Sequence, residues 1–250
     1  MISAVCLQHI TKTFRMSDYA DSQQVRGGAF YALDDITLSI MRGSCTVIAG
    51  ANGSGKSLLM AIIAKLEEPS SGAVEITGKV GLVFQNADSQ ILGETPREDI
   101  AIGVRGKNMT KAERDTIVQS ALTETGLSAK ADFPSRFLSG GEKRRLAVAG
   151  VLAMNADILI FDEPYANLDY KGVSCVNTLL LQLQAKQKTI IILTHELEKC
   201  LKLAGSLVVL KRGNIVFNGT AREGLQENLL QWGIHNPLGS SNSIDDLLWL

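Results

Sequence analysis

The chain has 250 residues, 45% apolar and 20% charged, with a formal net charge of −1. That is enough chain for a large buried core, and the balance is that of an ordinary soluble globular protein with no nucleic acid as its main partner. No apolar run approaches the roughly 20 residues of a membrane span, and the opening "MISAVCLQHITK" has neither the basic nor the apolar region of a leader, so a cytosolic chain is expected, one that reaches a membrane only by docking on another subunit.

The first residues read as strands. "VCLQHITKTF" leads into a polar stretch, "RMSDYADSQQVRGG", expected to be a long, mobile hairpin connection, after which "ITLSI" alternates apolar and polar. The apolar run "CTVIAG" then passes directly into a glycine loop, "GANGSGKS", and "KSLLMAIIAKL" reads as a helix. "KVGLVF", "DILIFD" and "TIIILT" are further apolar runs of strand length. Fully apolar strands alternating with helices predict a parallel sheet covered on both faces.

Between "VFQ" and "DILIFD" the character turns helical. Thr110 and Glu113 form a capping box ahead of a helix that Gly126 ends, and a second helix starts near Gly141. Residues 86–150 are therefore read as a helical insertion. "LVVL" and "IVF", joined by "KRGN", predict a closing hairpin, and the last thirty residues a helix and a tail. Cys6, Cys45, Cys175 and Cys200 lack metal-ligand spacing and read as reduced thiols.

"GANGSGKS", Gly50 to Ser57, matches G-x-x-x-x-G-K-[ST] in full, between a strand and a helix. Its glycines let backbone N–H groups close around phosphate, and the helix N-terminus adds partial positive charge. Lys56 is expected to reach the β- and γ-phosphates and Ser57 to ligate Mg²⁺. "ILIFDEP" carries a carboxylate to a strand's C-terminal end, where ligands bind in open α/β sheets. Asp162 is then the expected second Mg²⁺ ligand. Glu163 points elsewhere, as the base or the positioning group for an attacking water. His195 closes "TIIILT" and either donates to a γ-phosphate oxygen or is a surface histidine. Gln85 closes "KVGLVFQ" and either contacts Mg²⁺ or water or caps the next turn.

A second glycine pair stands in "LSGGE", Leu138 to Glu142. With it, the motifs together resemble the nucleotide-binding subunit of an ATP-binding cassette (ABC) transporter. "GANGSGKS" is similar to that family's Walker A loop, Gln85 to its Q-loop glutamine, "LSGGE" to its signature, "ILIFDEP" to its Walker B, "ANLD" ending at Asp169 to its D-loop and His195 to its switch histidine. The resemblance implies a P-loop NTPase core, an α/β fold with a mixed sheet flanked by helices. It also implies an antiparallel N-terminal β subdomain, the inserted helical subdomain at about 86–150, a nucleotide-binding domain over 3–236 and a tail over 237–250.

By that resemblance ATP lies against Gly50, Ala51, Asn52, Gly53, Ser54, Gly55, Lys56, Ser57 and Leu58. Phe14 stacks on adenine or packs in the core, with Tyr31 as the second choice for stacking. Two subunits pack head to tail, so that Ser139, Gly140 and Gly141 contact the partner's ATP and Asp169 lies across the seam. "FQNADSQI" and "NLLQWGIHNP" resemble energy-coupling-factor (ECF) and cobalt-type importers, with Ala87 where proline is usual. That group implies a second ATPase subunit, a transmembrane coupling protein and a small membrane subunit that binds a vitamin or a transition-metal ion, with this chain on the cytoplasmic face. The alternative resemblance is to the soluble ATPase of iron–sulfur cluster assembly.

Overall fold

The computed structural model describes residues 2–15, 24–105 and 109–238. Most of the polar connection after Arg15, and the tail from 239 onward, lie outside the described residues.

The chain runs β1 (Ser3–Arg15), β2 (Val25–Arg26), β3 (Ala29–Met41), β4 (Cys45–Ala49), α1 (Lys56–Ile63), β5 (Ser71–Ile76) and β6 (Val80–Val83). It continues through α2 (Pro96–Gly103), α3 (Lys111–Glu124), α4 (Gly140–Ala153), β7 (Ile158–Asp162) and α5 (Tyr170–Ala185). β8 (Thr189–Thr194), β9 (Ser206–Lys211), β10 (Asn214–Gly219) and α6 (Ala221–Gly224) complete it.

Two sheets result. An antiparallel one has the order β2-β3-β1-β5, and a mixed one the order β10-β9-β4-β8-β7-β6. Within the second, only β10 runs antiparallel to its neighbour. The apolar runs explain the parallel part. Alternate residues of β7 and β8 serve opposite faces: Leu159, Phe161, Ile190 and Ile192 join one core, Ile158, Ile160, Ile191 and Leu193 the other. A strand buried on both faces must be apolar at every position, and each such side chain contributes on the order of 2 kcal/mol by leaving water.

One face of this sheet packs on α4 and α5 through Val148, Val151, Leu180 and Leu183. The other packs on α1, through Leu59, Ile62 and Ile63, and beyond it on the inner face of the antiparallel sheet, including Val5, Leu7, Ile36 and Leu38. Helix α1 is thus clamped between two sheets. A third, smaller core joins α2, α3 and α4 through Ile100, Val118, Leu122, Leu146 and Ala149. Helix α4 is apolar on two faces because it serves two cores.

The parallel registers bring the strand ends level. Ala49 pairs with Thr194, Leu193 with Asp162, and Phe161 with Val83. Every motif that follows a strand therefore emerges at one edge of the sheet.

The structure also departs from the sequence reading. Strand β3 extends well beyond "ITLSI", α4 starts at Gly140, and β2, β5, α2 and α5 had not been singled out. Thr95 caps α2, with Pro96 in its first turn, a local signal that was there to be read.

Candidate active site

After β4 the chain turns through Gly50–Gly55 into α1. A Cβ on Gly50 would lie 2.4 Å from the Leu210 carbonyl and 2.5 Å from Ser54 Oγ. At Gly55, φ is +106° and a Cβ would meet Leu33 Cδ2 at 2.8 Å. The loop can follow this path only with glycine at both positions. Lys56, 7% exposed, donates from Nζ to the carbonyls of Gly50 (2.6 Å) and Ala51 (3.2 Å). Ala51 faces the turn at Gly233, where an added Cβ would come within 3.2 Å of the alanine methyl. Ser54 Oγ is buried without a hydrogen-bond partner.

The loop forms the floor of a cleft of about 470 Å³. Asn52, Gly53, Ser54, Gly55, Lys56, Ser57, Leu58, Gln85, Asp162 and Glu163 line it, with Phe14, Phe30 and Ala32 at one side. Burial, and then Glu163, push the Asp162 carboxyl above its ordinary range, while Lys56 and a hydrogen bond with Ser57 pull it back. Burial pulls Lys56 down, with Glu163 and Asp162 opposing.

Glu163 is 8% exposed and held on three sides. Its backbone has φ +43°, a left-handed conformation uncommon for glutamate, fixed by its N–H donating to the Leu193 carbonyl at 2.9 Å. This turns the side chain toward the end of β8. There Thr194 Oγ1 donates to Oε2 at 3.0 Å, and His195 Nδ1 lies 2.9 Å from Oε1. An ionised carboxylate only accepts hydrogen bonds, so this contact puts a proton on Nδ1. Lys56 Nζ is 4.0 Å from the same Oε1.

Of the two aromatics weighed for a flat ligand, Phe14 lines the cleft and Tyr31 does not; the Tyr31 ring lies 5.6 Å from the guanidinium of Arg26. Phe30 takes the place expected of Tyr31. The β1–β3 pairing sets Phe30 opposite Phe14, a register invisible in the separate strands.

Ser139, Gly140, Gly141 and Asp169 do not line this cleft. They lie near one another: Gly140 is next to Leu168, and Gly141 next to Gly172, whose N–H donates to Asp169 Oδ1 at 2.7 Å. Ser139 forms a capping box with Glu142, which explains why glutamate serves where the family often has glutamine. Asn167, in the variant "ANLD", has φ +58°, a conformation asparagine tolerates.

Sequence reasoning missed Thr194, Phe30 and Arg144. The last is 5% exposed and donates to the carbonyls of Gln85 and of the Glu163–Pro164 pair. Among the described residues, no three His, Cys, Asp or Glu side chains gather where they could hold a metal ion. The four cysteines are unpaired, and burial pushes the Cys45 thiol up to about 12.

Residues 33–166, more than half of the chain, match the family model for ABC transporters. The chain belongs to the ABC transporter family. It is accordingly an ATP-binding cassette and an ATPase. It is 37% identical over 210 residues to the energy-coupling factor transporter ATP-binding protein EcfA1 of Mycoplasma mobile, covering 78% of this chain and 76% of that one. Over 228 residues it is 35% identical to the cobalt import ATP-binding protein CbiO of Rhodobacter capsulatus, covering 84% and 81%. Among solved structures, CbiO1 of Clostridium perfringens, part of the CbiONQ transporter complex, superposes with a TM-score of 0.80 at 30% identity, covering 92% of the cassette and 93% of that chain. A dimeric ATP-binding cassette in a post-hydrolysis state, bound to ADP and phosphate, gives 0.73 at 28% identity, covering 87% and 99%.

Proposed function

We propose that this cassette drives an importer of the ECF or cobalt type, pairing head to tail with a second cassette around two ATP molecules. Uptake of a vitamin or transition-metal ion would proceed through a transmembrane coupling subunit and a small substrate-binding subunit, with the cassette on the cytoplasmic face. The observation that carries the sandwich is the division of the motifs. Lys56, Gln85, Asp162 and Glu163 share one cleft, while Ser139–Gly141 and Asp169 form a separate exposed surface. A second cassette that presents those residues to the cleft completes the site. The similarity to EcfA1 and CbiO supports the importer reading.

The loop fits a triphosphate. Its glycines leave no room for a Cβ at Gly50, and Ser54 offers a buried, unpaired hydroxyl. The Ser57 hydroxyl, the Asp162 carboxylate and the Gln85 amide oxygen are hard oxygen ligands, the set that suits Mg²⁺. Held by Ser57, Asp162 and Gln85, Mg²⁺ would supply positive charge against the triphosphate oxygens. Lys56 leaves its loop carbonyls for those oxygens. Glu163 takes the proton of the attacking water, whose oxygen bonds to the γ-phosphorus as the bond to the β-phosphate oxygen breaks. Thr194 and His195 keep the carboxylate aimed through their contacts with its two oxygens. Loss of phosphate removes contacts shared by the two cassettes, so the dimer is biased between closed and open states.

For the membrane partner, a cleft of about 440 Å³ beside the Q-loop is lined by Asp88, Ile91, Thr95, Ser135 and Arg136. Exposed apolar side chains near it in sequence, Leu92 at 74% and Phe137 at 64%, support docking there. No helix among the described residues is long and apolar enough to cross a membrane. The test is purification of the tagged chain from native membranes, with mass spectrometry of what accompanies it. A multi-span coupling protein with a small membrane binder is the expected result. Recovery of only soluble iron–sulfur assembly proteins would overturn the importer reading.

A further inference from the structure

The signature helix carries a charge that the reaction described above does not use. Arg144 stands on α4 soon after Ser139–Gly141, and its side chain turns inward rather than to solvent. Its guanidinium donates to the carbonyl of Gln85 at 2.6 Å, to that of Pro164, and more weakly to that of Glu163 at 3.5 Å. Nε is buried without a partner, and among the described residues no carboxylate pairs with the group. A buried cation held only by backbone carbonyls is costly to fold around. Burial accordingly pulls its pKa down, with no counter-charge to restore it.

The three carbonyls belong to two different loops. Gln85 lies two residues past the end of β6 at Val83, and Glu163–Pro164 follow β7; both loops open onto this chain's own ATP cleft. The helix that bears Arg144 starts at the signature, which in the proposed sandwich faces the other ATP. One planar, forked side chain thus bolts the signature helix to both loops of the opposite-purpose site. Arginine suits this where lysine does not, because its fixed fork reaches separate acceptors at once. Outside the fork, Lys143 pairs with Asp88 at 2.5 Å, which ties the same helix to the exposed part of the Q-loop.

We propose that Arg144 is a positioning residue that couples the two ATP sites, setting each cassette's signature for the partner's nucleotide according to where its own Gln85 and Glu163 loops stand. A shift of either loop on binding or losing nucleotide moves a carbonyl that Arg144 holds, and so moves α4. The coupling is reciprocal by linkage: the partner's ATP on the signature biases this chain's Gln85 and Glu163 in turn. The proposal rests on the head-to-tail reading given above.

The experiment uses the purified transporter complex with wild-type, Arg144→Gln and Arg144→Lys cassettes. ATPase rate is followed against ATP concentration, and ATP affinity is measured separately on dilute single cassettes. Expected is cooperative turnover in the wild type and a Hill coefficient falling to about 1 in Arg144→Gln, with ATP-driven pairing weakened about tenfold. Single-cassette affinity should stay within about twofold of wild type. Arg144→Lys should restore little of the cooperativity, since one ammonium cannot span both loops. Equal cooperativity in wild type and Arg144→Gln would overturn the coupling while leaving the sandwich intact. A loss of single-cassette affinity equal to the loss of pairing would also overturn it, as local damage. A wild type with neither cooperativity nor ATP-driven pairing would sink the sandwich reading itself. Should Arg144→Gln fold poorly, Arg144→Lys carries the same comparison.

Discussion

The sheet core and the helical insertion solve opposite problems. In the sheet, β4, β7 and β8 are buried on both faces, and the side chains proposed for the reaction, Asp162 and Glu163 among them, sit where level strand ends leave the core. Glu163 is held by its own backbone, by Thr194 and by His195, and has little freedom. The insertion rests on a small core of its own, shared among α2, α3 and α4, and has exposed apolar groups at Leu92, Phe133 and Phe137. The sheet core holds Glu163 at a strand end, while the insertion carries exposed apolar side chains on a separate, smaller core. Helix α4 belongs to both cores, so it is the element that one region must use to reach the other.

The largest effect tests the rigid half. Glu163→Gln should retain ATP binding, accumulate a nucleotide-bound dimer and lose turnover by about 10²–10⁴-fold; wild-type phosphate release from that variant would remove Glu163 from its role. Lys56→Ala should weaken ATP affinity by about 10–100-fold, the loss expected of one charge-assisted contact. Titration calorimetry giving an unchanged affinity would mean that the glycine loop is not the phosphate cradle.

The next pair sharpens the contrast in stiffness. Ile160→Ala and Leu122→Ala each delete a fully buried side chain and should each cost about 2–5 kcal/mol. They should differ in where the cost falls. Ile160→Ala should lower the global unfolding midpoint. Leu122→Ala should chiefly speed amide hydrogen exchange in α2, α3 and the start of α4, while β4, β7 and β8 keep their protection. Uniform loss of protection in both variants would break the comparison.

The smallest effect is electrostatic. The Asp162 carboxyl is raised above its ordinary value, so the folded state holds its proton more tightly than the unfolded chain does. Folded stability from this group therefore falls as pH rises from the ordinary carboxylate pKa through the raised one, and the loss persists at neutral pH. Asp162→Asn should be the more stable protein at neutral pH without ligand. Its advantage should shrink on acidification, as thermal unfolding at several pH values will show. An advantage that grows toward acid would contradict the sign.

What could be read from the sequence was what is local. The glycine loop, the carboxylates after "ILIF" and the capping box at Thr110 each announce themselves within eight residues. The parallel sheet followed from the apolar runs, because a strand covered on both faces must be apolar throughout. Non-local features stayed hidden. Phe30 faces the cleft only through its register with Phe14, and Thr194 matters only because β8 lies beside β7. Arg144 looked like one more charge in "EKRR" because the phase of α4 against two cores decides which of those side chains turns inward. Strand β5 escaped notice for a different reason: "SGAVEI" is half polar and lies at the edge of its sheet.

The contact between Ala51 and the turn at Gly233 has a practical consequence. That turn follows Trp232, which packs against Phe217 with ring centroids 6.0 Å apart, and Gln231, whose carbonyl accepts from Lys211 at 2.6 Å. The back of the phosphate loop is thus braced by the segment Gln231–Gly233, far along the chain. A change at Trp232 therefore reaches the phosphate loop through that brace, whereas one at Ser3, opposite Met41, bears on the antiparallel sheet alone. Turnover compared between Trp232→Ala and Ser3→Ala should favour the latter.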